Sequence, residues 1–358
     1  MSQKDKSLAL REIAAADLEE VARFIARISG SSTPVSTAVK RLAWILLENP
    51  ARDSADPLGW MLRTASGEVA GCMFCAPQKF CLAQKTFILM MANSFYADDR
   101  YRGGGASIFL KYLQLGSRYP LFVSSANATV AEMWQKLGGY SLGNSDDEVI
   151  GILRWPPLLA ESVYRKTANH RVAQFAAAIA SPFLRTPRAL RSHAQEAQLL
   201  PLHSPEEAAS VCAEYQSDKI TNRRDAAFLK WRYFSPVTPT ASLFAFRSAA
   251  DEKKVMVAVQ LQNRGYKQQI RALQILDIWG EPDSNSFLAI ATALTREYRE
   301  HIDMLVFRCV DPADRQSLAT HGFKARSFAA PIAWCIDKRE LLPSKSWYFV
   351  PADGDMFL

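Results

Sequence analysis

Two stretches of this 358-residue chain, offset by about 187 positions, carry the same succession of elements. That doubling constrains the fold more than any single motif, because each copy must build the same unit. The first helix is expected at the capping box Asp17-x-x-Glu20, with Leu18, Val21, Ala22, Ile25 and Ile28 at helical spacing. Its counterpart opens at Ser204-Pro205-Glu206-Glu207, with proline at the first helical position. Leu42-Ala-Trp44 then corresponds to Leu229-Lys-Trp231. A hairpin follows in each copy, Gly59–Thr64 into Val69–Phe74 and Ala241–Arg247 into Val255–Leu261. The strand Ile275–Trp279 matches the apolar run Thr86–Ala92, Ile302–Arg308 matches the strand at Leu121, and Asp311–Gly322 copies the spacing of Asn127–Gly138. Each copy reads β-α-(α)-β-β-β-α-β-α, an α/β fold with a mixed sheet flanked by helices. The expected division is 1–155, a connector at 156–200, and 201–358.

The copies part company after the Thr86–Ala92 strand. Asp98-Asp99-Arg100-Tyr101-Arg102-Gly103-Gly104-Gly105-Ala106-Ser107 leads into a helix carrying Phe109, Leu110, Tyr112 and Leu113. Glycines at a strand-to-helix junction let the backbone approach a ligand, and the helix N-terminus favours an anion such as a pyrophosphate. The nucleotide-hydrolase loop is excluded because no Lys-Ser or Lys-Thr follows the glycines, and the dinucleotide fingerprint because position 108 is isoleucine. A plain glycine-rich turn is the other reading. The second copy has Gly280-Glu281-Pro282-Asp283 here. Proline lacks an N–H and carboxylates repel phosphate, so this copy is expected not to bind the same anion.

The loop resembles the coenzyme A pyrophosphate loop of the GNAT acyltransferases, Arg/Gln-x-x-Gly-x-Gly/Ala. It fits that pattern from Arg100 through Gly103 and Gly105, or from Arg102 through Gly105 and Ser107. About 20 residues on, Asn127, Val130, Trp134, Gly138 and Tyr140 nearly reproduce the family's Asn-x-x-Ala-x-x-x-Tyr-x-x-x-Gly-Phe. The resemblance implies two tandem GNAT-like domains, an acyl-CoA donor, usually acetyl-CoA, and an amine acceptor on a small molecule or sugar. It implies that Arg100, Arg102 and the backbone of Gly103, Gly104, Gly105, Ala106 and Ser107 hold the donor. Backbone N–H groups from Asn93 to Tyr96 would polarise the thioester, and Asn127 would contact the pantetheine arm or simply cap its helix. Base candidates are Asp98 and Asp99, whose other reading is a solvated strand end balancing Arg100 and Arg102. The family's thiolate-protonating tyrosine falls at Trp134, whose indole N–H is no useful acid, leaving Tyr96, Tyr101, Tyr140 or water. Asp277, Glu281 and Asp283 are candidates for holding a cationic acceptor, or form a solvated turn. The stretch Asp225–Pro236 is similar to one in bacterial GNAT-like proteins of surface-polysaccharide loci. Alternatives are a non-catalytic CoA-binding or scaffold protein and a Fem-like aminoacyl transferase.

The apolar content of 49% and charged content of 22% are those of a globular chain. The net charge of +7 suits anionic partners, but no zinc finger or RNA-recognition signature points to nucleic acid. The opening Met-Ser-Gln-Lys-Asp-Lys has no signal-peptide core, and most of the six cysteines fall on apolar elements, an expectation of reduced thiols in a cytoplasm. Cys72 and Cys75 sit on a strand and should face opposite ways, so no metal is expected. In the connector, Val172, Phe175, Ala176 and Ile179 mark one helix face, followed by Arg185, Arg188 and Arg191. The expectation is a linker helix packed on a domain, with an interfacial membrane helix as the alternative.

Overall fold

Each copy of the repeat builds a mixed sheet, and each sheet is completed by a strand of the other copy. The computed structural model describes residues 7–354 apart from 102, 144, 146, 182–183, 185–197, 214, 238–239, 248–253, 266–268, 281–283, 309, 328–330 and 345–346. The first copy runs β1 (Leu8–Glu12), α1 (Leu18–Ser29), α2 (Val35–Leu46), β2 (Gly59–Thr64), β3 (Val69–Leu82), β4 (Lys85–Ala97), α3 (Gly104–Gln114), β5 (Leu121–Val123), α4 (Ala128–Lys136), β6 (Tyr140–Ser141) and β7 (Asp147–Ile152). A helical hairpin, α5 (Trp155–Thr167) and α6 (His170–Ala180), leads to the second copy. That copy runs β8 (Gln198–Pro201), α7 (Pro205–Ala213), β9 (Thr221–Asn222), α8 (Ala226–Tyr233), β10 (Ser242–Arg247), β11 (Lys254–Arg264), β12 (Ile270–Trp279), α9 (Ser284–Tyr298), β13 (Met304–Arg308), α10 (Pro312–Thr320), β14 (Lys324–Ser327) and β15 (Trp334–Ile336).

The helix starts differ from expectation in one copy. Ser204 Oγ accepts from the Glu207 N–H at 3.1 Å, as a capping serine does. Asp17 makes no cap on α1; it accepts from the Ala14 N–H at 2.8 Å and pairs with Arg11, while Glu20 pairs with Arg63 of β2. Arginines on the neighbouring strands outcompete the helix end for these carboxylates.

The first sheet has the order β1-β2-β3-β4-β5-β15-β6, and the second β14-β7-β13-β12-β11-β10-β8. The boundaries 1–155 and 201–358 therefore divide the sequence, while β7 lies in the second sheet and β15 in the first. The two crossing segments bond to each other: the Leu142 N–H donates to the Ala333 carbonyl at 3.1 Å and the Ile332 N–H to the Ser145 carbonyl at 3.3 Å. β9 adds to the outer half of β3, pairing Asn222 with Phe80 and Thr221 with Cys81.

Alternation along β3 and β4 separates two cores. Met90 and Ala92 pack with Ile108, Phe109 and Tyr112 of α3 and Trp134 of α4. Leu89 and Met91 face the other way, into a cluster that runs from Leu18, Val21 and Trp44 through Trp231, Met256 and Leu276 to the tail residues Trp347 and Phe349. Cys72 and Cys75 fall in different clusters, fully buried, and burial pushes both thiols up. The helices α1, α2, α7 and α8 are thus shared between the two sheets in one continuous core.

At its centre the rings of Trp44 and Trp231 stack at 4.8 Å with 23° between planes. Each indole N–H donates to the other residue's backbone carbonyl at 2.9 Å. These are equivalent positions of the repeat, so the pair lies on its pseudo-two-fold axis. Replacing either tryptophan by alanine is expected to cost about 3–5 kcal/mol. The double replacement should cost less than the sum, because both remove the same contact. Urea unfolding of the single and double variants measures this; additive losses would show that the rings act separately.

Candidate functional site

The parallel strands β4 and β5 pair over only three positions, Met90 with Leu121, Met91 with Phe122 and Ala92 with Val123. β4 runs on to Ala97 without a partner on that side, which opens a wedge in the sheet. At the mouth of the wedge β4 bulges: its register against β3 slips between Cys72 and Phe74, and Ser94 takes φ +51°. The bulge reverses the alternation beyond it. Phe95 turns to Phe109 of α3, their rings 6.4 Å apart, and Tyr96 packs against the inter-sheet cluster.

Asn93, the last residue before the bulge, shares the inter-sheet face with Leu89 and Met91 and is only 3% exposed. Its Oδ1 accepts from the Ser94 hydroxyl at 2.5 Å, and its Nδ2 has no hydrogen-bond partner among the described residues. Exchanging the amide's two ends would leave the oxygen unpartnered instead, so one polar end stands empty either way. Such a group costs about 1–3 kcal/mol. Sequence reasoning named the backbone here and missed the side chain; its signal was one amide at an inward register after an apolar run.

Beyond β4 the chain turns through Asp99–Tyr101 into α3. Gly103 is the N-cap at φ +96°, a left-handed conformation that favours glycine, and it brings no side chain to cap the first turn. Gly104 and Gly105 are needed for closeness. A Cβ on Gly104 would lie 2.7 Å from Leu8 Cδ1, and one on Gly105 would lie 3.3 Å from Phe95 Cζ. Ala106 and Ser107 continue the first turn, where Ser107 Oγ donates to the Gly104 carbonyl at 2.6 Å. Because β4 and β5 are parallel and each is followed by a helix, the N-termini of α3 and α4 arrive at the same end of the sheet. Asn127 caps α4, accepting from the Val130 N–H at 3.0 Å.

The remaining candidates are placed unequally. Asp98 is buried and clamped by Arg100, whose Nε and Nη2 lie 3.0 and 2.6 Å from its oxygens, while Arg27 lies 3.7 Å away. The Arg100 hydrogen bonds, against the cost of burial, pull its carboxyl down to about 2. A carboxylate so held is a poor proton acceptor near neutral pH; its evident work is to fix the turn. Asp99 is exposed. Arg102 lies outside the described residues. Tyr140 is on β6, separated from β5 by β15, and its hydroxyl donates to the Leu342 carbonyl at 3.4 Å. Burial pushes that phenol up, making it a weaker acid, and the structure does not bring it to the wedge. Trp134 is buried among the α3 and α4 core residues.

The second sheet has the same wedge, closed. β12 and β13 pair only from Ala272–Met304 to Gln274–Val306, and β12 continues to Trp279. The tail fills the gap: the Tyr348 hydroxyl donates to the Ile278 carbonyl, and with Tyr348, Val350 and Pro351 in its wall the residual cavity is about 20 Å³. A buried ion cluster holds it there. Arg224 bonds Asp277 at 3.0 Å and pairs with Asp353 of the tail at 2.8 Å, and the Tyr233 hydroxyl donates to Asp277 at 3.0 Å. Asp277, expected as an acceptor-holding carboxylate, is committed to these partners; Glu281 and Asp283 lie outside the described residues. The tail then reaches the first wedge, where Gly354 packs on Ser124, a Cβ there lying 2.7 Å from Ser124 Cβ, and Arg232 Nη2 donates to the Gly354 carbonyl at 2.7 Å. Another cleft, of about 440 Å³, lies at the opposite end of β4, between Cys81–Thr86 and α7–α8. Among the described residues no group of His, Cys, Asp and Glu is arranged to hold a metal.

No family model matches the sequence, and neither does any curated protein. Solved structures do resemble it. A probable N-acyltransferase of Enterococcus faecalis gives a TM-score of 0.57 at 10% identity, covering 92% of this chain and 72% of that one. A GCN5-related N-acetyltransferase of Anabaena variabilis gives 0.53 at 12% identity, with 92% and 72% covered. The N-myristoyltransferase of Saccharomyces cerevisiae, solved with bound myristoyl-CoA, gives 0.53 at 8% identity, with 92% and 77% covered. At these identities the likeness is one of fold: the chain has the GNAT-superfamily fold, with two tandem sheets.

The Asp98–Arg100 clamp has a defined pH signature. A depressed carboxyl contributes stability that is complete above its ordinary value of 3.8 and is lost as pH falls through about 2. Urea midpoints of the protein and of its Asp98→Asn variant should differ by a constant amount at neutral pH and converge only as pH approaches about 2. Convergence already at the ordinary aspartate value would mean the clamp is absent in solution.

Proposed function

We propose that this protein is an acyl-CoA-dependent N-acyltransferase, acetyl-CoA being the simplest donor, which acylates a primary amine on a small molecule or sugar. The observation that carries this reading is the asymmetry of the two wedges. The first keeps an open edge, a bulge and a glycine turn at a helix N-terminus, and the second is filled by the chain's own tail. The fold is one in which a solved relative holds an acyl-CoA.

In this reading the Gly103–Ser107 N–H groups hold the pyrophosphate, and Arg100 adds positive charge. The free edge of β4 from Asn93 to Ala97 binds the pantetheine amides, with Asn127 across the wedge. An arm entering from the α3 side of the sheet emerges on the inter-sheet face, where Asn93 Nδ2 and the bulge N–H groups donate to the thioester oxygen. The amine attacks the carbonyl carbon from that face, the C–N bond forms, and the C–S bond breaks to release thiolate. The ammonium proton passes to water or to exposed Asp99, since Asp98 is tied to Arg100. Solvent or Tyr96 returns a proton to the thiolate, a step that Trp134 cannot supply. The described cysteines are free, in keeping with a reducing cytoplasm. One observation favours a non-catalytic CoA-binding protein instead: neither Trp134 nor Tyr140 offers an acid at the wedge.

Thiol release from acetyl-CoA with a panel of amino sugars and amino acids tests the reaction. The Asn93→Leu variant is expected to lose about 100-fold or more in kcat, the scale of removing one oxyanion donor. Its unfolding free energy should rise by about 1 kcal/mol, because an unpartnered amide leaves the core. Acetyl-CoA that binds but releases no thiol with any amine would favour the binding protein.

A further inference from the structure

Helix α6 is built inside out. Its small residues Ala173 and Ala177 are buried, in a helix whose neighbour is α5, whereas Val172, Phe175 and Ile179 are 48%, 69% and 56% exposed. On a helical period these three share one face, opposite the two alanines. A linker helix packed on a domain would turn its bulky side chains inward, so the expected packing face is instead the outer one. The helix does not owe its start to that face: Asn169 caps it, accepting from the N–H groups of Arg171 and Val172 at 3.0 and 3.3 Å.

Charge says what this face suits. Arg171 is exposed beside Phe175 on the wheel, and Lys166 is exposed at the end of α5, where Arg165 pairs with Glu161 at 2.8 Å. From Ser162 to Gln195 the sequence has Arg165, Lys166, Arg171, Arg185, Arg188 and Arg191, and no aspartate or glutamate at all. The last three arginines lie outside the described residues and enter only as charge. A second copy pairing through α6 would bring two net-basic runs together, with the flanking Glu161 already paired to Arg165. An anionic lipid surface answers both features, accepting the apolar side chains and neutralising the cations. At 11 residues α6 is too short to span a bilayer, and no helix among the described residues is long and apolar enough to do so.

We propose that α6 is a docking surface for anionic membranes, lying in the interfacial plane with Val172, Phe175 and Ile179 at the acyl boundary and Arg171 and Lys166 among the headgroup phosphates. The proposal stands independently of the acyltransferase reading. Co-sedimentation of the full chain with phosphatidylcholine vesicles, with and without phosphatidylglycerol, tests it. Binding is expected to the phosphatidylglycerol vesicles and to weaken about tenfold or more without the anionic lipid or in high salt. The Phe175→Ser/Ile179→Ser double variant should lose about tenfold or more in vesicle affinity while keeping its melting temperature. No sedimentation with anionic vesicles, or equal binding by the double variant, would overturn the proposal. So would a dimer in light scattering that the double variant dissolves, which would assign the face to a second copy.

Discussion

The stacked pair Trp44 and Trp231 joins the two copies at the centre of their shared core. Two equivalent residues meet on the axis that relates the copies, each closing the other's backbone hydrogen bond. That contact leaves no boundary between two separate cores. α1, α2, α7 and α8 are sandwiched between the sheets, β7 and β15 trade places, and the tail threads along both wedges. A half-chain would lack a strand of its sheet and expose the apolar face that its partner covers.

Within this near-symmetric frame, the candidate site lies where the two copies depart from symmetry. Both parallel pairs open after three residues, a consequence of the shared backbone plan. One wedge was then closed by Tyr348 and Val350 and locked by Arg224 between Asp277 and Asp353. Burial lowers the Arg224 guanidinium's hold on its proton, but the two carboxylates outweigh it and raise it overall. The other wedge keeps its strand edge, its bulge and an Asn93 Nδ2 that has no hydrogen-bond partner among the described residues. The second copy contributes β15 to the first sheet, the far wall of the inter-sheet core and the tail that reaches Ser124.

Much of this was legible in the chain, and the omissions have physical causes. The doubling, the Trp44–Trp231 correspondence and the opposite facing of Cys72 and Cys75 follow from period and spacing. The exchange of β7 and β15 does not, because a two-residue alternation marks a strand without naming its neighbour. Asp17 read as a cap, and Asp277 as an acceptor-holding or solvated-turn carboxylate, until arginines far along the sequence claimed them. The stretch Asp225–Pro236 resembled one in bacterial GNAT-like proteins, and in the structure Asp225 caps α8, Trp231 makes the central stack, Arg232 holds the tail and Tyr233 bonds Asp277. Asn93 was hidden because only the bulge turns its strand position into the mouth of a wedge. The face of α6 was visible as a stripe, but periodicity cannot say which side of a helix meets protein.

In the proposed reading, two related wedges have become one donor site and one structural joint. Isothermal titration of the full chain with acetyl-CoA measures this most directly. One molecule is expected to bind per chain, with binding abolished by Gly103→Glu/Gly105→Glu and kept by a variant altered only in the exposed residues of α6. Two molecules per chain, or binding that survives the glycine substitutions, would contradict it.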